Sequence, residues 1–202
     1  MTAEHLEAAF YEQGFARFPA SDFQALGLSE QTIASLLKVG ETEATHVDTL
    51  LGVIASAGFK PVEPCQYEFG FTDAAGMVAT ARILEAVGVS AYLGAAPLIN
   101  SSDILSAAAT IVTVEARHQA FIRVASGAEP VPAAFDVPLG PRAVFTLAAQ
   151  FITSCPEGSN LNIQAFPSIA LSNPADVAVG KVLALASPGQ PTGAQFCAFA
   201  AS

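Results

Sequence analysis

Residues 107–126 read Ala-Ala-Ala-Thr-Ile-Val-Thr-Val-Glu115-Ala-Arg-His118-Gln-Ala-Phe-Ile-Arg-Val-Ala-Ser, an apolar run carrying a glutamate and a histidine three positions apart. At about 3.6 residues per turn, positions i and i+3 leave a helix from one face. An ionised carboxylate in such an apolar helix is costly unless it is paired or metal-bound. The chain has only three histidines, and a second one ends the same motif, Glu43-Ala-Thr-His46. A lone Glu-x-x-His is ordinarily a solvated surface pair, so it is the doubling that carries weight. Two such pairs on facing helices bring two carboxylates and two imidazoles into one bundle core. Di-metal carboxylate proteins built this way add one glutamate from each of two further helices.

The sequence supplies both. Helical periodicity runs over residues 3–18, ended by Pro19; from a Ser29 cap to about Ala57, closed by Gly58 and Pro61; from a Thr72 or Asp73 cap to about Tyr92, with Pro97 beyond; and from a Ser102 or Asp103 cap to about Ser126, ended by Gly127 and Pro130. The third of these helices offers only Glu85. The first offers Glu4, Glu7 and Glu12, and a second regularity selects among them: Tyr92 follows Glu85 by seven residues, as Tyr11 follows Glu4. Glu-x6-Tyr followed by Glu-x-x-His thus occurs twice. The predicted metal ligands are Glu4, Glu43, His46, Glu85, Glu115 and His118, with Glu7 standing in for Glu4 if the short first turn frays. Tyr11 and Tyr92 are expected either to orient ligands by hydrogen bonding or to act as redox-active groups. His5 projects about 100° from Glu4 and is expected at the surface. Arg82 and Arg117 are placed either to balance carboxylate charge or to face solvent. Gly88 and Gly94 are expected to permit close packing or a bulge near the site.

The fold class is therefore mainly α: an antiparallel four-helix bundle with a small C-terminal β appendage. A short fifth helix is expected at Pro141–Phe151, since proline suits a first helical turn. Alternating stretches at 161–166, 177–186 and 194–199 read as strands between Pro-Gly turns. The expected division is residues 1–153 for the bundle with its fifth helix and 154–202 for the appendage, docked on the bundle because about fifty residues is marginal for independent folding.

Composition narrows the function classes. With 52% hydrophobic and 13% charged residues and a net charge of −10, the chain reads as neither disordered nor nucleic-acid-binding. No stretch reads as a membrane span, because Gly, Pro and polar residues break the uncharged segments. Cys65, Cys155 and Cys197 lack metal-site spacing; one disulfide with a leftover thiol, or three reduced thiols, both fit. The sequon Asn100-Ser101-Ser102 favours secretion. Met1 runs almost at once into helix, so no signal peptide is read in this chain, which is expected to be a mature or trimmed form.

At these residues the chain resembles the ferritin-like domain family of fungal secreted stress-response and plant desiccation-related proteins. The resembling segments are Glu4-His-Leu-Glu-Ala-Ala-Phe-Tyr11, Glu43-Ala-Thr-His46, Glu85-Ala-Val-Gly-Val-Ser-Ala-Tyr-Leu-Gly-Ala-Ala-Pro97, Glu115-Ala-Arg-His118 and Phe135-Asp-Val-Pro-Leu139. Phe151-Ile-Thr-Ser-Cys-Pro156 and Ala165-Phe-Pro167 look like the fungal secreted branch, and the similarity covers about residues 4–170. It implies a ferritin-like bundle, a signal peptide in the precursor, a secreted location and a Cys65–Cys155 disulfide. It also implies that Glu43 and Glu115 bridge two metals while Glu4 and Glu85 are terminal ligands. Family members carry a longer first helix ahead of the position matching Glu4.

Carboxylate and imidazole donors without thiolate suit two iron or manganese ions, and zinc also fits. The expected activity is that of a di-metal oxidoreductase acting on peroxide, dioxygen or a small molecule, with no nucleic-acid partner and the oligomeric state open. The alternative is a non-enzymatic secreted protein that binds metal or protects during drying. An apolar channel lined by residues such as Phe10, Phe121 and Leu50 would favour the enzyme.

Overall fold

In the computed structural model, which describes residues 1–159, 162–167, 169–173, 178 and 180–186, capping side chains fix where three of the four long helices begin, the first having none. Helix α1 spans Thr2–Arg17 and stops at Pro19, which opens a six-residue helix, α2, Ala20–Ala25. α2 was not expected, because six residues are too few to show a periodic signal. Helix α3, Glu30–Ser56, starts where the Ser29 hydroxyl accepts the Thr32 amide at 3.1 Å. Helix α4, Ala74–Ala95, starts where Asp73 accepts the Gly76 amide at 2.7 Å, and runs almost a turn past Tyr92 before a 3-10 turn at Ala96–Leu98. Helix α5, Ser102–Ala125, is capped by Ser101 rather than by Ser102 or Asp103. Helix α6 spans Pro141–Ala148 with Pro141 in its first turn.

Contacts between helices set their directions. Residue 4 lies by residue 46 and residue 11 by residue 40, so α1 and α3 are antiparallel. Tyr11 bonds Glu85 and Tyr92 bonds Glu4, so α1 and α4 are antiparallel as well. Residues 85 and 88 meet residues 118 and 115, and residues 42 and 46 meet the same two, so α5 opposes both α4 and α3. Consecutive helices α3 and α4 are therefore parallel, and residues 57–73 must cross the length of the bundle between them. One long crossover in a four-helix bundle is the ferritin-like connectivity.

The crossover packs rather than floats. Phe69 and Phe71 stack on each other at 5.5 Å and meet Phe10 edge-on at 5.2 and 5.3 Å. Phe10, Tyr11, Phe23, Leu36, Met77 and Ile122 are almost wholly buried with them. Strand β1, Gln66–Tyr67, pairs antiparallel with β2, Ile152–Ser154, and the Cys65–Cys155 disulfide closes the end of this ladder. Cys197 lies outside the described residues.

Beyond Cys155, strands β3, Ala170–Leu171, and β4, Leu185–Ala186, pair antiparallel. The strand expected at 161–166 is absent where residues are described. Its backbone is held by α6 instead: Arg142 Nε donates to the Gln164 carbonyl at 2.9 Å, Thr146 Oγ1 accepts the Phe166 amide at 2.8 Å, and the Arg142 guanidinium covers the Phe166 ring at 4.1 Å. Of the described residues within the strand expected at 177–186, only 185–186 are in a ladder, and the strand expected at 194–199 lies outside the described residues. The segment Ala74–Leu98, with mean hydropathy 1.3, is by length and composition apolar enough to cross a membrane, which the sequence reading did not pick out. Its buried face carries Glu85 into the middle of the bundle.

Candidate metal centre

Four helices bring together seven buried side chains with donor atoms. α1 supplies Glu4 and Glu7, α3 Glu43 and His46, α4 Glu85, and α5 Glu115 and His118; all lie below 9% exposure. Two groups form, with donor atoms within 4.8 Å of one another: Glu4, Glu43, His46 and Glu115; and Glu43, Glu85, Glu115 and His118. Glu43 and Glu115 belong to both. Each imidazole enters through Nδ1. His46 Nδ1 lies 3.0 Å from Glu115 Oε1, 3.2 Å from Glu43 Oε2 and 3.5 Å from Glu4 Oε2. His118 Nδ1 lies 2.7 Å from Glu43 Oε1 and 3.3 Å from Glu85 Oε2.

These spacings fit a metal ion. Donors at about 2.1 Å from a cation stand about 3.0 Å apart along octahedral edges and about 3.4 Å along tetrahedral ones. Several of the same atoms are orphaned: among the described residues Glu4 Oε2, Glu43 Oε1, Glu85 Oε2, both Glu115 oxygens and His118 Nδ1 have no hydrogen-bond partner, though wholly buried. Even the close His118–Glu43 pair lacks hydrogen-bond alignment. Buried polar atoms without partners are rare in folded proteins and ask for an explanation. Donors aimed at a common point rather than at each other provide one, so the cluster could hold metal ions.

The hydrogen bonds behind the donors run crosswise. Tyr11 from α1 donates to Glu85 Oε1 on α4, and Tyr92 from α4 donates to Glu4 Oε1 on α1, each leaving Oε2 for the cluster. The sequence pairs each tyrosine with the glutamate on its own helix; the structure exchanges them. Thr42, which the sequence reading did not single out, sits 2.9 Å from His118 Nε2. Its own proton reaches the Val39 carbonyl at 2.7 Å, so Nε2 donates and Nδ1 keeps its lone pair for the cluster. Only a comparison of the two Glu-x-x-His segments hints at this, since Val114 stands where Thr42 does.

Other expected positions divide. Glu4 is 1% exposed and inside α1, so its side chain is not frayed. Glu7 does not replace it: it is buried beside the site, 2% exposed with Oε2 unpartnered, but belongs to neither donor group. A Cβ at Gly88 would stand 2.7 Å from Glu115 Oε2 and 2.9 Å from Glu7 Oε1, so the missing side chain gives these carboxylates their room. Gly94 instead admits backbone: a Cβ there would lie 1.9 Å from the Leu139 carbonyl oxygen. His5 is buried, not exposed, because the crossover covers it and its Nε2 lies 3.0 Å from the Val62 carbonyl. Arg117 is exposed and Arg82 half-buried; among the described residues neither forms an ion pair with the cluster. Phe10 is core rather than channel lining.

Electrostatics follow from crowding. Burial opposes charge on His46, but the surrounding Glu115, Glu4 and Glu43 carboxylates push its pKa up to about 12. The same competition, won by Glu43 and Glu85, raises His118 to about 10. Burial raises the Glu115 carboxyl to about 8, against its contact with His46 and with help from Glu43, Glu85 and Glu4. Burial and then Glu115 raise Glu7 well above the carboxylate range. Burial would also raise Glu43, but its contacts with His118 and His46 outweigh that and hold it low.

Two comparisons bear on this arrangement. The family model of the ferritin-like domain matches residues 1–128, which covers α1 to α5 and every donor named above. The chain is also similar to Protein rds1 of Schizosaccharomyces pombe, with 24% identity over 172 residues, 85% of this chain and 42% of that protein. The chain therefore spans less than half the length of that relative.

Proposed function

We propose, from the premise that this chain belongs to the ferritin-like domain family, that it is a di-metal carboxylate oxidoreductase acting on peroxide or dioxygen. The observation that carries the reading is the pair of donor groups joined by Glu43 and Glu115, with most of their inward atoms unpartnered apart from the His46 Nδ1–Glu43 Oε2 contact. A donor set of carboxylate and imidazole without thiolate suits iron or manganese, and zinc also fits. Four carboxylates match the charge of two divalent ions, and Glu7, whose burial favours its protonated form, leaves that balance intact. Iron or manganese held there would supply reversible changes of oxidation state and open positions for a small oxidant, which zinc, being redox-inert, would not.

The chain's residues hold the centre in shape. Tyr11 and Tyr92 fix Glu85 and Glu4 so that one oxygen of each faces inward. Thr42 fixes the tautomer of His118. The buried aromatic cluster around Phe10 keeps water from that side of the helices. The Cys65–Cys155 disulfide fits an oxidising compartment, and the exposed Asn100 of the sequon supports a secreted protein.

The test is metal loading followed by turnover. Protein reconstituted with Fe(II) or Mn(II) is expected to hold two ions per chain by elemental analysis, and Glu115→Ala or His118→Ala to hold fewer. The loaded protein is expected to consume peroxide or dioxygen. Two ions without consumption of either would replace the enzyme reading with a metal-holding protein; no ions would remove both.

A further inference from the structure

A cavity of about 220 Å³ lies between the start of α1, the second half of α4 and α6. We infer that it is the binding pocket for a small, neutral, apolar organic molecule carrying at most one hydroxyl, held against the metal centre. This rests on the oxidoreductase reading above for its role, though not for its existence.

Size and lining set the class. A dry cavity of about 150 Å³ walled by aliphatic and aromatic side chains takes up benzene, so this one suits a monocyclic or short aliphatic molecule. Ala91, Ala95, Leu139, Val144, Phe145 and Ala148 supply much of the apolar wall, and among the described residues no Lys, Arg or His side chain lines it. Its polar lining includes Glu4 and Tyr92, which bond to each other. An anion would meet the Glu4 carboxylate with Glu7 and Glu115 behind it, and the Met1 amino group at the wall is already opposed by Glu4 and Glu7, so neutral molecules are favoured.

The pocket and the centre share a wall. Glu4 lines the cavity and has an oxygen 3.5 Å from His46 Nδ1. Gly88 also lines it, and the missing side chain there is what leaves Glu115 Oε2 its place. The outer wall is built in as well: Leu139 donates its amide to the Ser90 carbonyl at 3.0 Å, and its carbonyl oxygen occupies the space above Gly94. Phe10, Phe121 and Leu50, expected from the sequence to line a channel, line none of this cavity.

The experiment is ligand-observed fluorine NMR with 4-fluorotoluene and 4-fluorobenzoate, on metal-free protein and on protein loaded with Zn(II) or Mn(II). The toluene is expected to bind all three forms, and the benzoate roughly tenfold more weakly or not at all. Ala95→Phe, and independently Val144→Phe, are expected to weaken toluene binding by about tenfold or more while helical circular dichroism and metal content persist. Paramagnetic Mn(II) should relax the bound fluorine strongly relative to Zn(II). No toluene binding to any form, equal binding by well-folded filled variants, or binding without Mn(II) relaxation in loaded protein would each overturn the pocket. Loss of metal binding alone would overturn the oxidoreductase reading and leave the metal-free titrations to decide the pocket.

Discussion

His46 and His118 face the cluster through Nδ1 with pKa values of about 12 and about 10, and Glu115 beside them stands at about 8. All three lie above their ordinary values of 6.5, 6.5 and 4.5, so the metal-free folded chain holds protons that the unfolded chain releases. That stability is complete below the ordinary values and is lost as pH climbs to the folded ones. The Glu115 share is lost from pH 4.5 to about 8 and the His118 and His46 shares from pH 6.5 to about 10 and about 12, so the melting temperature of chelator-treated protein is expected to fall across these ranges. Cations displace the same protons, so calorimetry at neutral pH in buffers of different ionisation enthalpy should detect proton release on metal uptake. A flat melting profile with no release would mean that the imidazoles stand neutral. Much of the residue scale was legible beforehand: helical period alone puts Glu43 with His46 and Glu115 with His118. The crossed tyrosine bonds, Thr42 and the burial of His5 were not, because each depends on a neighbour from another element.

Among the helices, the pair α1–α3 repeats as α4–α5, and beside the Thr42–Val114 difference the repeat breaks at one carboxylate. In the register that matches Glu4 with Glu85 and Tyr11 with Tyr92, Glu7 matches Gly88, so a carboxylate on one side meets an empty position on the other. Replacing a mid-helix glycine by alanine ordinarily stabilises by roughly 0.5–1 kcal/mol. Gly88→Ala is expected to do otherwise for function: the helix persists by circular dichroism, but bound metal drops because Glu115 Oε2 is displaced. Adding Glu7→Ala should restore part of it by freeing space. Full metal retention in Gly88→Ala alone would show that the carboxylates yield without cost. The sequence announced the four long helices because each carries several turns of apolar period and a stop signal. It passed over α2 for its brevity, and mistook 162–166 for a strand because alternation does not reveal that the partner for its backbone is a helix side chain.

For the molecule as a whole, the crossover decides how far the parts depend on one another. The Cys65–Cys155 disulfide joins residues 90 positions apart, beside the β1–β2 ladder, and none of the seven donors lies on either joined segment. Reduction, or Cys155→Ser, is expected to cost about 2–5 kcal/mol in denaturant unfolding while leaving the metal stoichiometry of folded protein unchanged. Loss of metal together with the disulfide would show that the crossover holds the donors in place; no change in stability would show that the ladder and the aromatic cluster suffice without it. The ferritin-like resemblance implied this pairing, whereas cysteine spacing alone left it undecided.

The separation of those two cysteines also sets a timetable. At roughly 5–20 residues per second of synthesis, Cys155 appears on the order of ten seconds after Cys65. During that interval α4 and α5 are made, so the bundle's four long helices are all present before the covalent tie across the crossover can form. The growing chain must carry the Cys65 thiol through that window without its Cys155 partner, and any earlier capture of it by another molecule would reach a half-made chain. The disulfide thus seals an arrangement that side-chain packing has to find first.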